Sequence, residues 1–357
     1  MTPTVRSLPE DAVIQCITSP AFDASPPRLL GQAHLPENVA CVLEPIWSIS
    51  HFPAAEIRIF HLKDVWVAKE GLVFDAEGNL FEETITQHTS SEIETAYEAV
   101  VTARCEPTMS TEFGPVALCK KRGIGNYGHW MLEMLPRAYL VHKNVEVSGL
   151  RFLIAKNSGR LAESMALSLM SIGIPPSQVI PADDTPRRFE QILMVDGLTH
   201  HGAFFSPLVL DPLEAIARPI PLGSPIKILV LRRSTGFRLL AEEDKIICHA
   251  LERGYTVVDP GLMSLGDQIA LFKRASRIVG IMGAAMTNIV FAAPSTPIVT
   301  VAPGGMMDTF FWFLAILRGL EYMEVRCPPI GPVRGNSPWD TDLFLDPALY
   351  GPVFDGT

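Results

Sequence analysis

Three stretches of this sequence carry side chains whose types and spacing could do chemistry. In GIGNYGHWMLEMLPR, residues 123–137, His129 and Glu133 stand four residues apart. A helix puts such a pair on one face, near its N-terminal end. A carboxylate beside an imidazole can serve as a general base toward a hydroxyl, and the glycines ahead of it let a substrate approach the backbone. The same spacing also suits a purely local pairing of Glu133 with His129 or Arg137.

In LVLRRSTGFR, residues 229–238, Arg232 and Arg233 end an apolar run and Arg238 follows a short Ser-Thr-Gly turn. Guanidinium groups bind phosphate oxygens in a bidentate way, and strand ends in doubly wound domains are where ligands bind. An ordinary solvated turn is the competing reading. In VGIMGAAMTN, residues 279–288, Gly283, Ala284 and Ala285 lie between a predicted strand and a short predicted helix. Backbone amides there could hold a pyrophosphate, with a side-chain bond from Thr287 or Asn288. Tight helix–sheet packing asks for small residues too.

Gly123, Gly125 and Gly128 also spell the GxGxxG of dinucleotide sites. That motif needs an acidic residue ending the next strand, about 20 positions on. Glu146 comes before that strand rather than after it, and Pro136 interrupts the helix. An NAD-dependent oxidoreductase is therefore the third-ranked reading. His200, His201 and Asp196 lack metal-ligand spacing, so no metal is expected. The sequence holds no HExxH, GxSxG or P-loop motif. His51, His61, His88, His142 and His249 read as surface or satisfied residues, and FFWFLAIL reads as core.

The elements that must position these groups alternate between strand and helix. Residues 1–50 are Pro-rich and read as an extended lead-in. Residues 56–85 alternate like strands around a turn at Asp75–Asn79, and SSEIETAYEAV reads as a helix capped by Ser90 or Ser91. From about residue 115, PVALC, RFLIA and QILMV read as strands, with a helix bent at Pro136 and a second ending at Gly173. After a Pro-rich stretch at 206–225, KILVLRR, YTVVDP, RIVGI and TPIVTVA read as strands, separated by helical runs. Such alternation predicts parallel, doubly wound sheets with ligand sites at strand C-terminal ends.

The chain has 357 residues, of which 48% are hydrophobic and 19% charged. Single cores stop growing near ~250–300 residues, so two domains are expected. A net charge of −10 gives no long-range attraction to nucleic acid. The six cysteines form no CxxC pair and read as free, mostly buried thiols. The N-terminus lacks a signal-peptide pattern, which points to the cytoplasm. Ile278 to Met307 carries no charged side chain, but its prolines break a spanning helix, so no transmembrane segment is expected.

Taken together, NYGHWMLEMLPR, ILVLRRSTGFRLLAEED and GYTVVDPGLMSLGDQIALFKRASRIVGIMGAAMTNIVF resemble glycosyltransferase family 61, the capsular polysaccharide biosynthesis type. The resemblance runs over roughly residues 56–330. It implies an α/β, GT-B-like architecture: two Rossmann-like, doubly wound domains facing a cleft, here with an extra N-terminal β-rich segment. The expected organisation is an acceptor-side domain over 1–205, a linker over 206–225, a nucleotide-sugar domain over 226–330 and a tail over 331–357 that packs back. The implied activity is inverting hexosyl or pentosyl transfer from a nucleotide sugar, usually UDP-linked, to a glycan hydroxyl in surface or capsular polysaccharide synthesis. No cofactor is obligatory.

Carried over by residue, Glu133 takes the family's acidic position and is the expected base, with His129 beside it. Arg232 and Arg233 match the family's Arg-containing strand end, with Arg238 following, and Gly283, Ala284, Thr287 and Asn288 fall in its HGAxxTN segment. The expected partners are the nucleotide sugar and the glycan acceptor, and a homodimer is left open. Two positions depart from the family: Met282 replaces a histidine, and TVAP at 300–303 lacks an acidic residue. A methionine cannot donate a hydrogen bond to phosphate. Met282 thus favours the alternative of a catalytically degenerate nucleotide-sugar or glycan-binding protein.

Overall fold

The computed structural model describes residues 2–106, 111–123 and 125–356. The chain divides into two compact units. One comprises residues 1–20, 54–201 and 205–215, the other 21–53, 202–204 and 216–357. Both are α/β.

The first unit is built on a nine-stranded mixed sheet. Its elements are β1 (Ala55–Ala68), β2 (Leu72–Phe74), β3 (Leu80–Phe81), α1 (Ser90–Arg104), β4 (Thr111–Cys119), α2 (Leu135–Asn144), β5 (Arg151–Ala155), α3 (Gly159–Ser171), β6 (Val179–Ala182) and β7 (Arg187–Asp196). The central strand order is β3-β2-β1-β7-β4-β5-β6. Strands β7, β4, β5 and β6 run parallel, while β3, β2, β1 and β7 pair antiparallel. The expected β-rich segment is therefore one continuous sheet with the α/β part. Only half of this unit is wound in the parallel manner. One core packs Phe60, Leu62, Val116, Leu118, Leu153 and Phe189 together, and a second packs Trp66, Leu72 and Phe74 with Ala96 and Val100 of α1.

Local signals explain the boundaries. The Asp75–Asn79 turn forms as expected, with Asp75 Oδ1 accepting from Asn79 N at 2.8 Å. Helix α1 is capped by Thr89, not Ser90 or Ser91, because Thr89 and Glu92 complete a reciprocal capping box.

The second unit holds a six-stranded, wholly parallel sheet. Its elements are β8 (Ile226–Val230), α4 (Glu243–Glu252), β9 (Tyr255–Val258), α5 (Leu265–Lys273), β10 (Ala275–Ile281), β11 (Pro297–Pro303), α6 (Phe310–Arg318) and β12 (Glu321–Cys327). The order is β9-β8-β10-β11-β12, followed by a short strand, Arg28–Leu30. The segment read as apolar enough to span a bilayer is β10, a 3₁₀ helix (Ala284–Phe291) and β11. Among the described residues no helix is long and apolar enough to cross a membrane.

Residues 21–53 are not a loose lead-in to the first unit. They add a strand and a helix (Glu37–Trp47) to the second. Trp312 Nε1 donates to Ser25 O at 2.8 Å, and the Arg326 guanidinium lies 5.8 Å from the Trp47 ring. Two close backbone approaches lock this packing. A Cβ on Gly31 would fall 2.2 Å from Arg326 O, and one on Gly304 would fall 1.9 Å from His34 O. All six cysteines are free, but only Cys119 and Cys327 are buried, so the expectation of mostly buried thiols fails.

Gly304→Ala should force His34 and residues 303–306 apart. The cost expected for such overpacking is about 1–3 kcal/mol, read as a lower denaturant midpoint.

Candidate functional site

In the first unit the strand order reverses between β4 and β7: β4, β5 and β6 step one way, and β7 returns to the other side of β4. Ligands bind outside strand carboxyl ends at such a reversal. Lys121 follows β4 here, and His201 follows β7.

The helix after β4 is not regular. It opens over Tyr127–His129, capped by Asn126, whose side chain accepts from Gly128 N at 2.8 Å. It then widens into a π-turn, Trp130–Met134, before α2 begins. The expected restart at Pro136 has a direct cause. Proline has no N–H to pair with Leu132, and the ladder is reset by Leu135 N bonding to Trp130 O. The wide turn is fixed from outside by Trp130, wholly buried, whose Nε1 donates to Ser168 Oγ at 2.9 Å. π-turns of this kind recur at functional sites.

His129 and Glu133 do share one face. His129 Nδ1 lies 2.6 Å from Glu133 Oε1, and His201 Nδ1 lies 3.2 Å from the same oxygen. The Lys121 ammonium pairs with Oε2. Glu133 is 1% exposed, while the His129 and His201 side chains are 16% and 21% exposed. Burial alone pushes the Glu133 carboxyl up. The hydrogen bonds from His129 and His201, with the Lys121 charge, outweigh it and hold the group well below the usual carboxylate range. An ionised carboxylate only accepts, so each Nδ1 carries its hydrogen toward Oε1. The lone pair of a neutral His129 then sits on Nε2. That edge of the ring packs on Gly123, where an added Cβ would come within 3.1 Å of Nε2, and Gly123 has φ +79°. Ile124, inside the same glycine motif, lies outside the described residues.

Lys121 and His201 were missed in the sequence. Their signal was position: each follows the C-terminal end of a predicted strand. His201 needs no metal spacing, because the fold rather than the chain brings it to Glu133. The three potential ligand atoms of His129, Glu133 and His201 lie within 4.8 Å of one another. As arranged, both Nδ1 hydrogens face the carboxylate and Lys121 takes its other oxygen, so a cation would have to displace these contacts. His88 also departs from expectation. Both its ring nitrogens are buried without a hydrogen-bond partner, and burial lowers it to about 4.

The GxGxxG reading fails on the next strand. β5 ends in Ala155, followed by Lys156 and Asn157, so no carboxylate stands where a ribose would be held.

In the second unit the order reverses between β8 and β10. Arg232 follows β8 and Gly283 follows β10, as the sequence placed them. The structure brings Arg232, Arg238 and Gly283 together. The Arg232 and Arg238 guanidiniums lie 5.4 and 5.3 Å from the Phe237 ring centre. A Cβ on Gly283 would sit 1.3 Å from Arg232 Nη1, so only glycine admits this guanidinium. Burial, and after it the Arg238 charge, lowers Arg232 to about 9, which leaves it cationic at neutral pH. Both Nε atoms are buried without a hydrogen-bond partner.

The other predicted binding residues do other things. Arg233 turns outward, 54% exposed, to pair with Glu243. Asn288 donates to Gln268 Oε1 at 2.8 Å, which ties the 3₁₀ helix to α5. Ala284 opens that helix half-buried, and Thr287 Oγ1 is buried without a hydrogen-bond partner. Met282, at the family's histidine position, is fully buried, and its carbonyl accepts from Arg238 Nη1 at 2.9 Å.

Residues 127–299 match the model of the family described as Glycosyltransferase 61. This match supports glycosyltransferase family 61. The matched segment runs from the His129–Glu133 helix through Arg232, Arg238 and Gly283 into β11, so it holds most of both constellations; Lys121 lies just ahead of it. The match points to sugar transfer. No curated protein matches the chain.

Glu133 links pH to stability with a definite sign. Its folded pKa lies below the ordinary value of 4.5. Its ionisation therefore favours the fold above that pH, and the contribution is lost as pH falls through the folded value. Glu133→Gln should cost about 3–5 kcal/mol at pH 7, because it strands buried Lys121. The gap to wild type should narrow below pH 4.5, as read from denaturant melts across pH.

Proposed function

We propose that this family 61 chain transfers a sugar, with inversion, from a nucleotide-sugar donor to a hydroxyl of a surface or capsular glycan, and that His129 is the base. The observation that carries the assignment is the saturation of Glu133, whose two oxygens are taken by Lys121, His129 and His201. A carboxylate so held, well below its ordinary pKa and with both oxygens already engaged, is a weak base, so the expected role of Glu133 passes to its neighbour. Glu133 instead fixes the His129 tautomer and stabilises the imidazolium that forms.

In this reading the acceptor oxygen attacks the anomeric carbon as its proton moves to His129 Nε2. The bond from that carbon to the donor phosphate breaks on the opposite face. The charge that develops on the leaving diphosphate is met by Arg232 and Arg238, whose buried guanidiniums retain N–H groups without partners.

A second reading, a binder without catalysis, is favoured by Met282. Its side chain is buried in the core and offers the donor nothing. Transfer and hydrolysis assays on a panel of UDP-, GDP- and dTDP-sugars separate the two. The proposal expects turnover with one donor class, unaffected by EDTA. His129→Ala should cut kcat by about 10²–10⁴ with little change in UDP affinity. Arg232→Gln should weaken UDP binding. Full turnover in His129→Ala removes the base assignment. Binding without any turnover selects the second reading. Loss of activity in EDTA, restored by a divalent ion, moves His129, Glu133 and His201 into a metal site.

A further inference from the structure

The Arg232–Arg238 pair carries a neighbour from outside the family-matched segment. Asp340 is 5% exposed, and its Oδ1 lies 3.3 Å from Arg238 Nε. The contact is an ion pair without hydrogen-bond alignment, since Nε remains without a hydrogen-bond partner. Other bonds hold the carboxylate in place. Oδ2 accepts from Ser337 N at 2.9 Å, Asp340 N donates to Ser337 O at 2.9 Å, and Asp340 O accepts from Arg334 N at 2.8 Å. Gly335 makes room for it, for a Cβ there would fall 2.3 Å from Oδ2.

The segment that presents Asp340 is strapped to the segment that presents Arg238. Ala241 N donates to Leu343 O and Leu343 N to Leu239 O, each at 2.8 Å. Leu239 N donates to Asp342 Oδ1 at 3.1 Å. Arg238 itself is a non-glycine residue at φ 55°, and Glu242 follows at φ 54°. Such left-handed conformations cost of order 1–3 kcal/mol each and cluster at ligand clamps.

Two guanidiniums flank one phenyl ring, and Asp340 is the one carboxylate in direct ion-pair contact with them among the described residues. Asp259 near Arg232 and Asp308 near Arg238 act on them without such contact. Asp259 is held by Ser234 N, Ser234 Oγ and Gly261 N, and Asp308 Oδ1 accepts from Phe310 N. An anion that reaches the guanidiniums therefore meets the charge of Asp340 first.

We propose that Asp340 is a resident counter-anion that sets the affinity of the Arg232–Arg238 site for phosphate groups: it holds Arg238 when the site is empty and is pushed aside or repels when a diphosphate enters. This rests on the reading of Arg232 and Arg238 as the donor-phosphate site. Asp340 adds a cost to each binding event that the family-matched residues alone do not impose. In return it keeps two buried like charges tolerable in the empty protein.

The test measures binding of UDP and of inorganic pyrophosphate to the full chain by calorimetry, with thermal melts alongside. Asp340→Asn keeps the shape and an acceptor for Ser337 N but removes the charge. It should tighten UDP and pyrophosphate binding about tenfold, within the usual range of coupling between sites. It should also lower the melting temperature of the empty protein and enlarge the shift that UDP produces. Gly335→Ala is a second variant, at ordinary backbone angles, that displaces the carboxylate without changing charge; it should tighten binding in the same direction and serves if Asp340→Asn does not fold. Asp340→Glu, which keeps the charge, should bind UDP nearly as wild type does. Wild-type binding with equal or weaker binding in both Asp340→Asn and Gly335→Ala overturns the counter-anion role and leaves the donor site standing. Failure of the wild type to bind either UDP or pyrophosphate overturns the donor site itself.

Discussion

A single buried carboxylate organises the first unit's site. Glu133 has almost no contact with water, and an isolated charge there would cost several kcal/mol. It is tolerated because Lys121, His129 and His201 engage both oxygens. Each partner arrives from a different place: Lys121 from the end of β4, His129 from the first turn of the following helix, His201 from beyond β7. The π-turn sets the rotation at which Glu133 leaves the helix, and buried Trp130 anchors that turn. The cluster therefore reads as one unit, in which losing a member leaves another charge unpaired.

The second unit gathers cations instead. Two buried arginines share one phenyl ring, with the Asp340 carboxylate against one of them, on a sheet whose order reverses between the strands that present Arg232 and Gly283. The glycine is a steric requirement, since the guanidinium occupies the space of its missing side chain. Buried cations with unsatisfied N–H groups store an attraction for an anion.

Much of this was legible in the residue order. The strand–helix alternation marked β4, β5, β7, β8, β9, β10 and β11 in place, four of them to within two residues at each end, while β6 and β12 went unread. The His129–Glu133 pairing follows from helical spacing alone, and the bend at Pro136 from a missing N–H. Asp75–Asn79 behaved as a turn because its hydrogen bonds are local. Residues 21–53 were misread because their partners, Ser25 with Trp312 and Trp47 with Arg326, lie nearly 300 positions away in sequence.

The sequence by itself determined the α/β class, the resemblance to family 61, and that Arg232 and Gly283 sit at strand ends. These depend on local periodicity and on interactions a few residues apart. Only the tertiary structure decided that Glu133 is a saturated anion rather than a free base, that His201 and Lys121 attend it, and that Arg233 turns away while Arg238 turns in. The protonation and reach of an ionisable side chain depend on burial and on charges brought close by the fold, and neither leaves a trace in sequence spacing.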